Sequence, residues 1–186
     1  METAGSSHSD YHNFVVNSPV RFRDVGVYGT LPGTANCIDP ARSRVPLYLV
    51  HQAAYDWTVR WLGGEEPPPM PSPITVTDFS TNPVTLARDS FGIAEGGIRL
   101  ADVTLPIALN TGWNTGGKPP TSDSTCQQTG TYIPFGQATL KALCRNHGSY
   151  VSKVAGATNA NVRDGFILEE DGETIKDEAA ESSVGH

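Results

Sequence analysis

The chain has 186 residues, of which 38% are hydrophobic and 18% are charged, and its formal net charge is −7. This length suffices for one domain with a buried core. Because the chain is acidic and has no basic stripe, its composition argues against binding to nucleic acid. The longest apolar-leaning run, residues 45–55, is far shorter than the roughly 20 residues that a membrane-spanning helix needs.

The N-terminal quarter predicts one short helix and a long irregular stretch. The helix should run from about Ser9 to Val16, with Ser9 as its cap and Asp10 favouring its N-terminus. From Asn17 to Pro46, prolines and glycines recur too often for a regular element. A loop of this length is usually functional or wraps a larger body.

The clearest predicted element is a helix from about Pro46 to Leu62. Its apolar residues recur at i, i+3 and i+4, and the stripe that we expect to be buried comprises Leu47, Val50, Ala54, Trp57 and Trp61. Tyr48, His51 and Tyr55 should widen this face, with His51 packed rather than acting as a ligand. Gly63 is expected as the left-handed cap, and residues 65–73 as a stiff proline-rich spacer.

After the spacer, the apolar period changes to two, which predicts a small β section. The extended segments should cover 74–76, 84–88, 97–100 and 103–109, followed by a turn at 110–114 and a flexible loop at 115–124. Three helices should close the chain, at about 136–145, 149–164 and 172–180. The last lies in an acidic tail, about residues 169–186, and should fray at its end.

His8 is the candidate catalytic residue. Small residues precede it in the segment from Glu2 to Tyr11, which suits an exposed imidazole that reaches a substrate. A carboxylate two positions away rarely orients the same imidazole, so Asp10 is better interpreted as a helix cap than as a triad acid. A loop histidine with no catalytic role is the alternative. His8, Asp10 and His12 do not predict a metal site, because a fourth ligand is missing nearby.

The three cysteines, Cys37, Cys126 and Cys144, allow at most one intramolecular bridge. They form no Cys-x-x-Cys motif, which argues against a zinc knuckle. Cys144 has apolar neighbours in a predicted helix and should be a small buried residue. Which cysteines pair, if any do, stays open.

The segment around His8 resembles the stretch around the catalytic histidine of α/β-hydrolase domain-containing proteins. Further stretches of similarity follow in the same order, at 36–37, 56–62, 66–69, 86–100, 103–106, 111–114, 132–135 and 165–168. The pairing of Gly-Gly-Ile-Arg at 96–99 with Thr-Gly-Trp-Asn at 111–114 is fairly specific. The resemblance extends to about residue 180.

The resemblance implies an α/β fold over residues 1–186, namely the C-terminal part of an esterase-like domain. This partial domain would combine long loops, one long amphipathic helix, a small antiparallel β section and C-terminal helices. The resemblance also implies His8 as general base, a small-molecule ester as substrate and no cofactor. In such domains the triad follows the order serine, acid, histidine, so both partners of His8 would precede Met1. We therefore expect this chain to be inactive alone.

The alternative is a non-catalytic cap or interaction module, including a truncated hydrolase remnant. Such a module would fold onto a missing N-terminal hydrolase core or form a homo-oligomer. The wide aromatic face of the 46–62 helix and the long loops favour this alternative, because they are surfaces that another body would cover.

Overall fold

The computed structural model describes residues 1–26, 33–117 and 123–186. The predicted irregular stretch 17–46 and loop 115–124 therefore lie partly outside the described residues. The helices are α1 (Ser18–Val25), α2 (Leu47–Leu62), α3 (Ala101–Thr104), α4 (Asp123–Thr129), α5 (Gln137–Leu143), α6 (His147–Arg163) and α7 (Glu169–Glu181). The strands are β1 (Val76–Asp78), β2 (Thr85–Leu86), β3 (Ala108–Thr111) and β4 (Thr131–Pro134).

The four strands form two antiparallel pairs. In the first pair, Val76 of β1 lies opposite Leu86 of β2, and the register shifts between Val76 and Asp78. In the second, β3 and β4 pair from Ala108 opposite Pro134 to Thr111 opposite Thr131. The mixed α/β composition with a small antiparallel β section is confirmed.

The N-terminal region is more helical than its sequence predicts. Residues His12–Val16 form one π-helical turn, and its start is capped by Asp10 rather than Ser9. Helix α1 then lies inside the stretch predicted to be irregular. Pro19 sits in the first turn, where a missing N–H costs nothing, and Gly26 ends the helix at a φ of 64°.

Helix α2 occupies the predicted position, but its buried face differs from the predicted one. The residues that it buries are Leu49, Val50 and Ala53, whereas Trp61 is 53% exposed. His51 is also exposed, so the prediction of a packed histidine is wrong. The left-handed residue after the helix is Gly64, with a φ of 97°, rather than Gly63.

The segment between residues 101 and 134 departs most from prediction. It forms the short helix α3 and then β3 where one extended stretch was expected, and β3 runs into the predicted turn. The partner of β3 is β4, which follows helix α4 rather than a tight turn. When a helix lies between two paired strands, the local sequence pattern does not show that these strands pair.

Three helices close the chain as predicted. The last of these helices, α7, is longer than predicted: it spans 13 residues of the acidic end and buries Gly172 and Ala179. Gly172 allows close packing on α6, since a Cβ there would lie 2.7 Å from Cγ2 of Val162. Both imidazole nitrogens of His147 lie within hydrogen-bond distance of a carbonyl oxygen. One belongs to Ala180 near the end of α7, and the other to Val184 after it.

One apolar cluster joins the N-terminal segment to α2, to the β section and to the chain after α6. Its buried members are Ala4, Val45, Leu49, Val50, Ile93, Ala94, Ile98, Leu100, Val103 and Ile167. A smaller cluster packs α3 against α6 and α7 through Ala101, Val154 and Ala179. The fully buried Ala4 therefore ties the segment that carries His8 into the main core. Among the described helices, none is long and apolar enough to cross a membrane.

Candidate active site

The segment that precedes His8 is fixed by backbone pairing with the chain near Ile98. The amide of Ala4 donates to the Ile98 carbonyl at 2.9 Å, and the Ile98 amide donates to the Glu2 carbonyl at 2.7 Å. Thr3 and Ile98 thus form a short parallel bridge. Since Ile98 is fully buried, these hydrogen bonds attach the backbone that precedes His8 to the hydrophobic core.

Hydrogen bonds also hold the backbone on either side of His8. Before it, the hydroxyl of Ser43 donates to the Gly5 carbonyl at 2.6 Å. After it, the Ser9 amide donates to the Gln128 carbonyl at 2.8 Å. Ser7 and Ser9 are buried whereas His8 is exposed. The structure therefore presents the imidazole to solvent from a backbone that is anchored on both sides.

Two glycines allow other segments to approach this loop closely. A Cβ on Gly112 would lie 2.5 Å from the Ser6 carbonyl oxygen. Gly130, at a φ of 64°, has Ser7 on one side and the Thr111 carbonyl on the other, and a Cβ would overlap that carbonyl. Both positions require glycine because only a residue without a side chain fits such close backbone contacts.

Arg42 supports the other side of the loop and was not predicted as a site residue. It is buried, and its Nη1 donates to the Ser9 carbonyl at 2.9 Å. Its guanidinium carbon lies 4.7 Å from the centre of the Phe14 ring. Its φ of 81° is the one positive value at a non-glycine residue in the described part of the chain. A backbone angle of this kind is not readable from sequence, so no pattern marks Arg42 in advance.

Asp10, rather than the predicted Ser9, caps the π-helical turn, and it does not hydrogen-bond to His8. Its Oδ1 accepts from the Asn13 amide at 2.7 Å. Burial raises the pKa of the Asp10 carboxyl, while the Asn13 hydrogen bond and the nearby His12, His51 and Arg42 oppose that rise.

Cys37 and Cys126 form a disulfide, which resolves the pairing that the sequence left open. Their Cα atoms are 5.4 Å apart and 89 positions separate them in sequence. Cys126 lies two residues before Gln128, whose carbonyl accepts from Ser9. The bridge thus anchors the segment on which the His8 loop rests. Cys144 is free and buried, directly after α5 rather than within it.

A family model described as Alpha/beta hydrolase domain matches residues 1–177. The chain belongs to this alpha/beta hydrolase domain family. The resemblance inferred from the sequence is thereby confirmed. No curated protein and no solved structure matches the chain.

Members of the alpha/beta hydrolase class usually carry the nucleophilic serine in a Gly-x-Ser-x-Gly turn, and the 186-residue sequence has no such pattern. The serines next to His8 do not substitute for it. Ser6 donates its hydroxyl to the Thr3 carbonyl at 2.8 Å. The Ser7 hydroxyl is buried and finds no hydrogen-bond partner among the described residues. Neither Ser6 nor Ser7 is therefore positioned as a nucleophile for His8.

Residues that precede and follow His8 in the sequence line two cavities. Thr3, Gly5 and Ser6 line one of about 220 Å³, whereas Tyr11 and His12 line another of about 440 Å³. His8 lines neither of the two. The His12 ring stacks on Tyr48 with 3.8 Å between ring centres. No group of three His, Cys, Asp or Glu side chains is positioned to hold a metal ion within the described ranges.

Proposed function

We propose that this chain supplies the histidine general base of a serine-dependent hydrolase that acts on carboxylic esters. The observation that carries the proposal is the family match over residues 1–177, combined with an exposed His8 on an anchored backbone. A catalytic imidazole must contact both a nucleophile and a substrate, so it needs an anchored backbone and a solvent-exposed ring. His8 has both.

In the proposed reaction, His8 accepts the proton of the serine hydroxyl while that oxygen attacks the ester carbonyl. It then returns the proton to the departing alcohol as the carbonyl reforms. A general base of this type acts near neutral pH because the ordinary pKa of histidine is about 6.5. The serine and the acid that orients the imidazole would come from a segment outside these 186 residues.

The test is the reading frame that precedes the codon for Met1, followed by expression of the longer product. The proposal expects a Gly-x-Ser-x-Gly motif there, and hydrolysis of p-nitrophenyl acetate by the longer product. His8→Ala should lower kcat by at least about 10³-fold. His51→Ala, at another exposed histidine, is the matched control and should keep the activity. Hydrolysis that survives His8→Ala would refute the role of His8.

The exposed end of α2 favours a second function, that of an interaction module. Its last two turns expose Tyr55 (74%), Val59 (69%) and Leu62 (81%). A cluster of apolar side chains on one exposed surface is typical of a protein contact. A second copy of this chain is the simplest partner, because the exposed apolar end of α2 in each copy would pack against the same surface of the other.

A further inference from the structure

We propose that the cavity lined by Thr3, Gly5 and Ser6 binds a small carboxylate with an apolar body, such as an arylacetate. Its other walls come from residues between 74 and 94 and from the chain at 110–113. The volume of about 220 Å³ corresponds to roughly seven water molecules. It lies below the range of drug-sized sites, so the ligand is small.

Asn110 supplies an unpaired hydrogen-bond donor to this cavity. Its side chain is buried, with 3% of the residue exposed, and its Oδ1 accepts from the Arg44 amide at 2.9 Å. This contact fixes which end of the amide is the oxygen, and Nδ2 at the other end makes no hydrogen bond to any described residue. Asn110 lines the cavity, and Nδ2 is not among the unpaired atoms that are closed to solvent. A ligand with an acceptor oxygen would satisfy this donor.

The charge on the cavity wall is positive. Arg88 is the one charged side chain among the described residues that line it, and these include no Asp, Glu or His. Nη1 of Arg88 donates to the Gly92 carbonyl at 2.8 Å, and Arg88 forms no ion pair in the described part of the chain. A guanidinium matches the two oxygens of a carboxylate, and one guanidinium balances its single negative charge. Arg88 and Asn110 thus favour the same kind of ligand group.

Most of the remaining wall is apolar and suits a hydrocarbon body. The apolar side chains that line the cavity are those of Ile74, Pro83, Val84, Leu86, Ala94 and Trp113. Val84 is 41% exposed and Trp113 is 39% exposed, so part of this apolar surface lies open to water. A ligand with an aryl or alkyl group would remove it from water, whereas an inorganic anion would not.

The position of the cavity connects it to the proposed reaction. Ser6, which lines it, lies two residues before His8. A small carboxylate is the acid half of a carboxylic ester, so the site would identify the acyl group of the substrate. That last step rests on the proposed function, whereas carboxylate binding does not, because His8 itself does not line the cavity.

Calorimetric titration of the full chain at pH 7.5 tests the proposal with phenylacetate and its neutral analogue 2-phenylethanol. We expect saturable one-to-one binding of phenylacetate and at least about tenfold weaker binding of the alcohol. Arg88→Gln should bind phenylacetate at least about tenfold more weakly, because it removes the cation. Arg145→Gln is the matched control. Arg145 is also an exposed arginine without an ion pair in the described ranges, and it does not line the cavity.

Asn110→Asp tests the unpaired donor separately. Aspartate keeps an oxygen that accepts from the Arg44 amide, but it replaces the free N–H donors with a negatively charged oxygen. Phenylacetate binding should therefore weaken by at least about tenfold. Circular dichroism verifies the fold of each variant. If Asn110→Asp does not fold, Trp113→Ala takes its place, and it should weaken binding by at least about threefold through lost apolar contact.

Several results would overturn the proposal. Equal binding of phenylacetate and the alcohol would identify an apolar cavity only, and an equal loss in Arg145→Gln would identify attraction to any surface cation. Unchanged binding by Arg88→Gln, by folded Asn110→Asp or by its replacement would also overturn it, as would no binding up to about 10 mM. The readout is binding by the chain alone, so its failure is distinct from a failure of the turnover expected of the longer product.

Discussion

Arg42 donates from Nη1 to the carbonyl oxygen of Ser9 at 2.9 Å, and thereby links the residue after His8 to a buried guanidinium. Arg42 holds this contact at a left-handed φ of 81°. A residue with a Cβ is destabilised by about 1 kcal/mol or more at such a backbone angle. At this position the side-chain contacts stabilise the fold, whereas the backbone angle destabilises it.

This combination predicts an unusual order of stability for substitutions at Arg42. Arg42→Ala should lower the free energy of unfolding by about 2 to 4 kcal/mol, because it leaves a buried carbonyl unsatisfied and opens a void. Arg42→Gly loses the same contacts but relieves the strained φ, so it should be about 1 kcal/mol more stable than Arg42→Ala. Urea denaturation measures both. A glycine variant less stable than the alanine variant would show that φ is not strained.

The Cys37–Cys126 disulfide predicts that reduction destabilises the chain. The bridge closes a loop with a sequence separation of 89, and loops of this size correspond to about 4.6 kcal/mol of stabilisation in the chain-entropy description. Cys37→Ser with Cys126→Ser should lower the unfolding midpoint in urea accordingly, and dithiothreitol should then have no further effect. Cys144→Ala is the control, because that thiol is free: its unfolding midpoint should still fall on reduction.

Local patterns predicted those elements whose signals lie within one stretch of sequence. The apolar repeat of α2 gave its bounds closely, and the C-terminal helices followed from similar repeats. The predicted buried stripe of α2 was right at Val50, which lies in the core, and wrong at Trp61, which is 53% exposed. Which side of a helix a fold covers depends on distant segments, and these leave no mark in the helix itself.

The site was predictable only in part for the same reason. The catalytic role of His8 stays a prediction from the sequence. The sequence placed Asp10 at the start of a helix, and the structure shows it as the cap in place of Ser9. The contacts that fix the loop join it to Ser43, Ile98 and Gln128, which lie far along the chain. Partners at such distances are set by the tertiary fold, not by a motif.

Asp102 predicts a pH-dependent stability difference. Burial raises its pKa from 3.8 to about 6, so the folded protein holds this proton more tightly than the unfolded chain. Its contribution is therefore most favourable below pH 4 and is lost as the pH rises through 6. Asp102→Asn should stabilise the protein at pH 7.5 by about 2 to 3 kcal/mol. Near pH 3.5 the variant and the wild type should differ little.

Chemical denaturation at the two pH values measures this difference directly. Asp177→Asn, at an exposed position on α7, should change stability by less than about 0.5 kcal/mol at either pH. A variant that is less stable than the wild type at pH 7.5 would mean that the Asp102 charge is favourably paired in the folded protein.

The interaction-module alternative predicts that the chain forms a dimer through the exposed end of α2. Light scattering after size-exclusion chromatography should then give twice the mass of 19.8 kDa. Val59→Glu should restore the monomer, because it puts charge into an apolar contact. It should leave the unfolding midpoint of the monomer nearly unchanged, since Val59 is 69% exposed. A wild-type monomer at all concentrations would remove this alternative for homo-oligomers.

The hydrolase proposal predicts that the purified 186-residue chain does not hydrolyse esters. Its p-nitrophenyl acetate turnover should equal that of His8→Ala, because a general base without an attached nucleophile offers only weak acceleration. His51→Ala reports any turnover that an exposed imidazole causes by itself. Turnover that disappears in His8→Ala but persists in His51→Ala would contradict the prediction, and would require a nucleophile within this chain. In that case Ser6, whose hydroxyl donates to the Thr3 carbonyl, is the first residue to replace.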